Sequence, residues 1–215
     1  MHVYTPFRLL STASPGSAAG RAARCLFAAF FCAALAACGA SAPPPPPPQS
    51  LVAEEPGLVL WPRAEKAVRL RLSADRNLNI YGSKAHSLQI CVYQLDKPDA
   101  FLDLAKTQEG VTTLLKAESF DPSVKNVVRL FVQPLEDAVY ELDRAESATF
   151  VGIVCGYFDA APENVTGVWE IKPQTATSGH LFWKTTSYSA GTLDLSLRLS
   201  AHTMTESGDK AREPQ

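Results

Sequence analysis

Thr149–Phe158, TFVGIVCGYF, is the most apolar of the strand-like runs and reads as a central β-strand. Working outward, Leu88–Leu95 (LQICVYQL) is a second apolar run that predicts another, more buried strand. Ala67–Ala74 (AVRLRLSA) alternates Val68, Leu70 and Leu72 with Arg69, Arg71 and Ser73, the period-two pattern of a half-buried strand. Further strands are expected over Asn126–Gln133, which ends at Pro134, and over Ala138–Leu142, Val168–Ile171, Leu181–Ser187 and Thr192–His202. Many short strands separated by turn signals predict an antiparallel β-sandwich.

A helical insertion is expected between the second and third strands, over residues 99–117. Phe101, Leu102, Leu104 and Ala105 recur at helical spacing, Asp99 is the expected N-cap and Gly110 the expected stop. Val111–Ala117, with Leu114 and Leu115, predicts a second short helix. The segment Asp75–Ser87 (DRNLNIYGSKAHS) reads as a loop from its Asn, Ser and Gly content. Leu78, Ile80 and Tyr81 within it either tuck onto the core or form an exposed apolar tip. Residues 206–215 are expected to be a polar, disordered tail.

The N-terminal region is organised differently. Arg8, Arg21 and Arg24 precede an apolar run, Cys25–Leu35 (CLFAAFFCAAL), as in a secretory signal. Leu35-Ala36-Ala37-Cys38 then matches the pattern cut by the lipoprotein signal peptidase, with small residues before a cysteine that accepts a diacylglyceryl group. The expected organisation is a signal peptide over 1–37, a lipidated Cys38 with a Pro-rich tether over 38–57, and a β-sandwich domain over 58–205. Pro43–Pro48 predicts a polyproline II rod of about 3.1 Å per residue. One acyl chain holds a membrane weakly and two or more hold it stably, so an N-acyl diacylglycerol group on Cys38 is a sufficient anchor. Gly39 and Ala40 follow the cysteine; the absence of Asp there points to the outer membrane.

Removing 37 residues from 215 leaves 178, enough for one domain with a sizeable core. The mature chain carries 17 cationic against 22 acidic residues, a net charge near −5, which argues against nucleic acid as a partner. Cys91 and Cys155 remain as a pair. They either form a disulfide in an oxidising periplasm or pack separately as small apolar groups, and geometry decides which.

No catalytic or metal-binding pattern stands out. His86, His180 and His202 have no metal-ligand spacing with each other or with the cysteines, and no cofactor is expected. There is no G-x-S-x-G, P-loop or H-E-x-x-H. Trp61, Trp169 and Trp183 are candidates for a ligand shelf, although core packing is the commoner use of such rings.

The order of features is more specific than any one of them. Ala74, Asn77 or Asn79, Gly82, Val92-Tyr93-Gln94-Leu95, Phe101, Pro134, Phe150-Val151-Gly152-Ile153-Val154 and Trp169 follow the lipobox in sequence. In this the chain resembles the type VI secretion lipoprotein family, TssJ (also SciN or VasD), over about Val68–Ile171. The resemblance implies a transthyretin-like β-sandwich with added helices and a non-catalytic role. It also implies an acylated cysteine in the outer membrane and, as partners, the periplasmic domain of TssM within a TssL-containing complex. The family's binding loop falls on Asp75–Ser87, making Asn77, Leu78, Asn79, Ile80, Tyr81 and Gly82 the expected contact residues. The family usually carries Pro-Gly where this chain has Pro134-Leu135, so that turn is expected to differ. The rival reading is a carbohydrate- or peptidoglycan-binding lipoprotein with Trp169 or Trp183 as its shelf.

Overall fold

The computed structural model describes residues 51–179 and 183–207. The signal segment, Cys38, the proline run, His180 to Phe182 and the last eight residues lie outside the described residues. Ten strands are described: β1 (Ala64–Ala74), β2 (Leu88–Leu95), β3 (Val124–Val132), β4 (Asp137–Arg144), β5 (Phe150–Cys155), β6 (Thr166–Glu170), β7 (Gln174–Ser178), β8 (Thr185–Ser189), β9 (Leu193–Leu199) and β10 (Met204–Glu206). Three short helices join them: α1 (Asp99–Leu104), α2 (Gln108–Leu114) and α3 (Pro162–Val165).

Two four-stranded sheets face each other, in the orders β10-β9-β1-β4 and β3-β2-β5-β6; β7 and β8 form a separate hairpin. Pairing is antiparallel except for β1 with β9, which run parallel from Val68↔Leu193 to Ala74↔Leu199. The expected antiparallel sandwich is therefore present with one parallel ladder at its centre.

The two apolar runs read first from the sequence are neighbours in the middle of one sheet. Seven of the eight residues of β2 are buried, because that sheet is covered on both faces. Alternate residues serve different layers. Gln94, with Val151 opposite it, points between the sheets: its Nε2 donates to Asp143 O and its Oε1 accepts from Ala145 N. Tyr93, with Gly152 opposite it, points to the helices and donates its hydroxyl to Leu114 O. Phe101 of α1 lies over Gly152 and 5.7 Å from the Tyr93 ring. A Cβ at 152 would stand 2.9 Å from the Phe101 ring, so the glycine is what lets the helical layer seat on β5. Tyr93, Phe101 and Gly152, three of the residues that carry the family resemblance, thus form one packing joint.

The helices differ in detail from expectation. Asp99 is the first residue of α1, after an N-cap at Pro98, and makes no cap bond. Gly110 does not end a helix; it sits in the first turn of α2, capped by Thr107, where a Cβ would come within 1.9 Å of Leu104 O. Close approach, and not termination, requires glycine there. β5 stops at Cys155, so Phe158 leaves the strand for a loop. β7, β10 and α3 were not anticipated, and Glu206, expected in the tail, pairs with Leu197.

The Pro134-Leu135 turn is tight. Glu136 N donates to Gln133 O at 3.1 Å, closing a tight turn with Leu135 at φ 65°. Leucine therefore holds the left-handed conformation a glycine would take after proline in a type II turn.

Of the two readings left open for the cysteines, separate packing holds. Cys91 pairs with Val154, and Cys155 pairs with Ile90, so the two cysteines project to opposite faces of the sheet. Both thiols are free and buried, Cys91 beneath Leu115 O and Cys155 against Met204 Sδ.

Candidate functional site

Strand direction gives the sandwich two ends. The chain enters β1 at one of them, where Ala53 and Tyr188 of β8 exchange backbone bonds of 2.8 Å each. Buried Arg144 closes the same end: its guanidinium donates to Pro62 O and Gly191 O and lies 5.0 Å over the Trp61 ring. The opposite end gathers the β1–β2 loop, the β3–β4 turn, the β5–α3 segment and the β9–β10 turn.

The β1–β2 loop is a built structure. Asp75 fixes its base: Oδ1 accepts from Arg198 Nε and Nη2, and Oδ2 accepts from Ser200 Oγ. These donors hold the Asp75 carboxyl below the usual carboxylate range. Asn79 N and Ile80 N then donate to Ser200 O and Ala201 O, lacing the loop to the β9–β10 turn. Gly82 and Ser83, at φ 55° and 68°, form a two-residue turn closed by reciprocal bonds between Tyr81 and Lys84. Two consecutive positive φ values match the type I′ hairpin, whose twist suits flanking extended chain.

The six residues expected in the binding loop divide into two groups. Leu78 is fully buried in the core, and Asn79 is buried with its Nδ2 on Ser87 O and its Oδ1 accepting from Phe158 N. Neither side chain faces solvent, which corrects the expectation that these two would touch a partner; they hold the loop up. Asn79 also takes φ 46°, a region asparagine tolerates better than most residues. Asn77, Tyr81 and Gly82 are exposed and Ile80 is half-buried.

Tyr81 does not stand alone. Its ring centroid lies 5.0 Å from Phe158 and 6.5 Å from His86, and His86 lies 5.2 Å from Phe158. Tyr81 is 63% and Phe158 57% exposed, so two large rings face solvent together. Sequence reasoning missed Phe158 because it continues the apolar β5 run, and left His86 as an ordinary loop residue. The signal was Gly156, which breaks the run two residues earlier.

The tryptophans make no common shelf. Trp61 is held under Arg144, and Trp169 is half-buried against Gly167, with its Nε1 donating to Glu206 Oε2 at 3.0 Å across the open edge of the sandwich. Trp183 stands at the tip of the β7–β8 hairpin. Among the described residues, no three His, Cys, Asp or Glu side chains come together as a metal site requires. Also among them, no helix is long and apolar enough to cross a membrane.

The fold is a β-sandwich with helices packed on one sheet through the Tyr93–Phe101–Gly152 joint and an internally braced β1–β2 loop at one end. The chain belongs to the type VI secretion lipoprotein family (VasD, EvfM, TssJ), whose family model matches residues 66–201. It is a structural component of that system and not an enzyme.

Among solved structures, the type VI lipoprotein TssJ1 from Pseudomonas aeruginosa is 20% identical, with a TM-score of 0.45 over 68% of this chain and 95% of that one. Serratia marcescens Lip, a membrane-bound component of the type VI secretion system, is 14% identical, with a TM-score of 0.49 over 69% and 98%. A structure described as the TssM C-terminal domain from EAEC gives 16% identity and a TM-score of 0.47 over 65% and 96%. No curated protein matches the chain.

Proposed function

We propose that this chain is the outer-membrane lipoprotein of a type VI secretion membrane complex. In this reading residues 1–37 are removed and Cys38 carries the acyl chains. The sandwich presents Tyr81, Phe158 and their neighbours Asn77, Ile80 and Gly82 to the periplasmic domain of TssM in a TssL-containing assembly. The observation that carries it is the placement of the exposed ring pair at the end of the sandwich away from chain entry. A module hung by its N-terminus from one membrane needs its grip at the far end to reach a protein rooted in the other. Strands of seven to eight residues separate the two ends by roughly 25 Å. Linking two attachments through one short chain raises the effective concentration of the second, so neither needs to be strong alone.

The test is paired. Cys38→Ser should release the chain into the soluble periplasmic fraction and abolish secretion. Tyr81→Ser with Phe158→Ser should abolish capture of the TssM periplasmic domain with little change in melting temperature, because both rings are largely exposed. Leu78→Ser is the contrasting control and should unfold the loop or the domain. Normal secretion by the Cys38 variant, or undiminished capture by the double variant, would defeat the proposal.

A further inference from the structure

The β7–β8 hairpin points to a second contact at the opposite end from the ring pair. All five residues of β7 are exposed, and Trp183 at the hairpin tip is 85% exposed. The sequence between the two strands is Gly179-His180-Leu181-Phe182-Trp183-Lys184. Gly179 takes φ 117°, and a Cβ there would come within 1.8 Å of Trp183 O, so position 179 has no room for a side chain. An indole this exposed adds nothing to the packing of the domain.

Three observations say what covers it. First, β8 is bonded through Tyr188 to Ala53, so the hairpin lies beside the chain that leads back to Cys38, fifteen residues earlier. Second, the entering segment at this end exposes Leu51, Leu58 and Leu60. Third, no Asp or Glu occurs from Ile171 to Leu193, whereas Lys172 and Lys184 do. Glu54 and Glu55 on the entering segment weigh against a purely ionic contact, so rings and aliphatic groups dominate. Tryptophan suits such a place, since its ring sits at the headgroup level of a bilayer with the N–H still solvated.

We infer that the β7–β8 hairpin docks through Trp183 on the phospholipid surface to which the chain is anchored, standing the sandwich end-on with its ring pair outermost. This rests on the lipoprotein reading above. The fifteen residues between Cys38 and Ala53 permit such contact without enforcing it, because an extended proline-rich chain of that length spans up to about 45 Å. The hairpin then fixes an orientation that a flexible anchor leaves open.

The experiment uses the acylated mature chain reconstituted in phosphatidylethanolamine–phosphatidylglycerol vesicles, with and without brominated acyl chains. The Trp183 signal is the fluorescence difference between the wild type and Trp183→Ser. The proposal expects that signal to shift to the blue on vesicles, to be quenched by the brominated lipid and to be shielded from iodide in the water. Trp183→Ser should still float with the vesicles through its acyl chains. Flotation of both chains with a Trp183 signal open to iodide and blind to bromine would overturn the hairpin contact and leave the anchor standing. Failure of the acylated wild type to float would overturn both.

Discussion

The backbone N–H of Phe158 donates to Oδ1 of Asn79 at 3.0 Å, joining the β5–α3 segment to the β1–β2 loop. With Asn79 Nδ2 on Ser87 O at 3.0 Å, one buried amide braces both strands of the loop and the ring next to it. Asn79→Ala removes both bonds and leaves Phe158 N and Ser87 O to find other partners, at a cost of about 1–3 kcal/mol. Asn79→Gly loses the same bonds but relieves the left-handed backbone, so it should cost less. Denaturant unfolding measures the difference, and amide exchange should quicken across 79–87 in both variants.

Cys91 and Cys155 lie on adjacent strands and opposite faces, so oxidation cannot join them without unfolding the sheet. Burial pushes the Cys155 thiol far above its ordinary value, which suppresses the reactive thiolate. The folded protein should therefore give no mass change on reduction and no maleimide adduct at Cys155, with both cysteines labelled once it is denatured. A two-hydrogen gain on reduction would contradict the register of β2 against β5.

Leu135→Gly should stabilise the fold. The left-handed backbone costs a non-glycine residue about 1–2 kcal/mol, and the extra freedom of glycine in the unfolded chain returns about half of that. The lost side chain is 62% exposed, so little packing goes with it. A rise in Tm of roughly 2 °C is expected for a domain of this size.

Acid should act through a few carboxylates held below their usual range. Asp75 is depressed by hydrogen bonds from Arg198 and Ser200, Asp143 by Arg63 and the Lys66 amide, and Glu141 by Lys66. A depressed folded-state pKa contributes stability above the unfolded-state value and loses it as pH falls through the folded one. Tm should therefore hold from neutrality to about pH 5 and decline below about pH 4. Asp75→Asn should lower the plateau and flatten the decline, because that carboxyl no longer titrates.

β2, β5 and β9 were legible because buried strands write themselves as apolar runs or clean alternation. β7 was not, because a fully exposed strand of Gln, Thr, Ala and Ser has no hydrophobic period to read. Asp99 and Gly110 had the right residue types for cap and stop, but the tight α1–α2 packing used them otherwise. In the loop, sequence marked the correct segment and could not separate Leu78 and Asn79, which face inward, from Tyr81, which faces out. Phe158 was hidden because only the third dimension places it against Tyr81.

The most direct test of the central claim is site-specific photocrosslinking in cells that express the whole secretion system. A benzophenone amino acid is placed at residue 81 or at residue 183 of the otherwise native chain. The account predicts a covalent adduct with TssM from position 81 and none from position 183. An adduct from 183 with none from 81 would put the grip at the wrong end of the sandwich and contradict it.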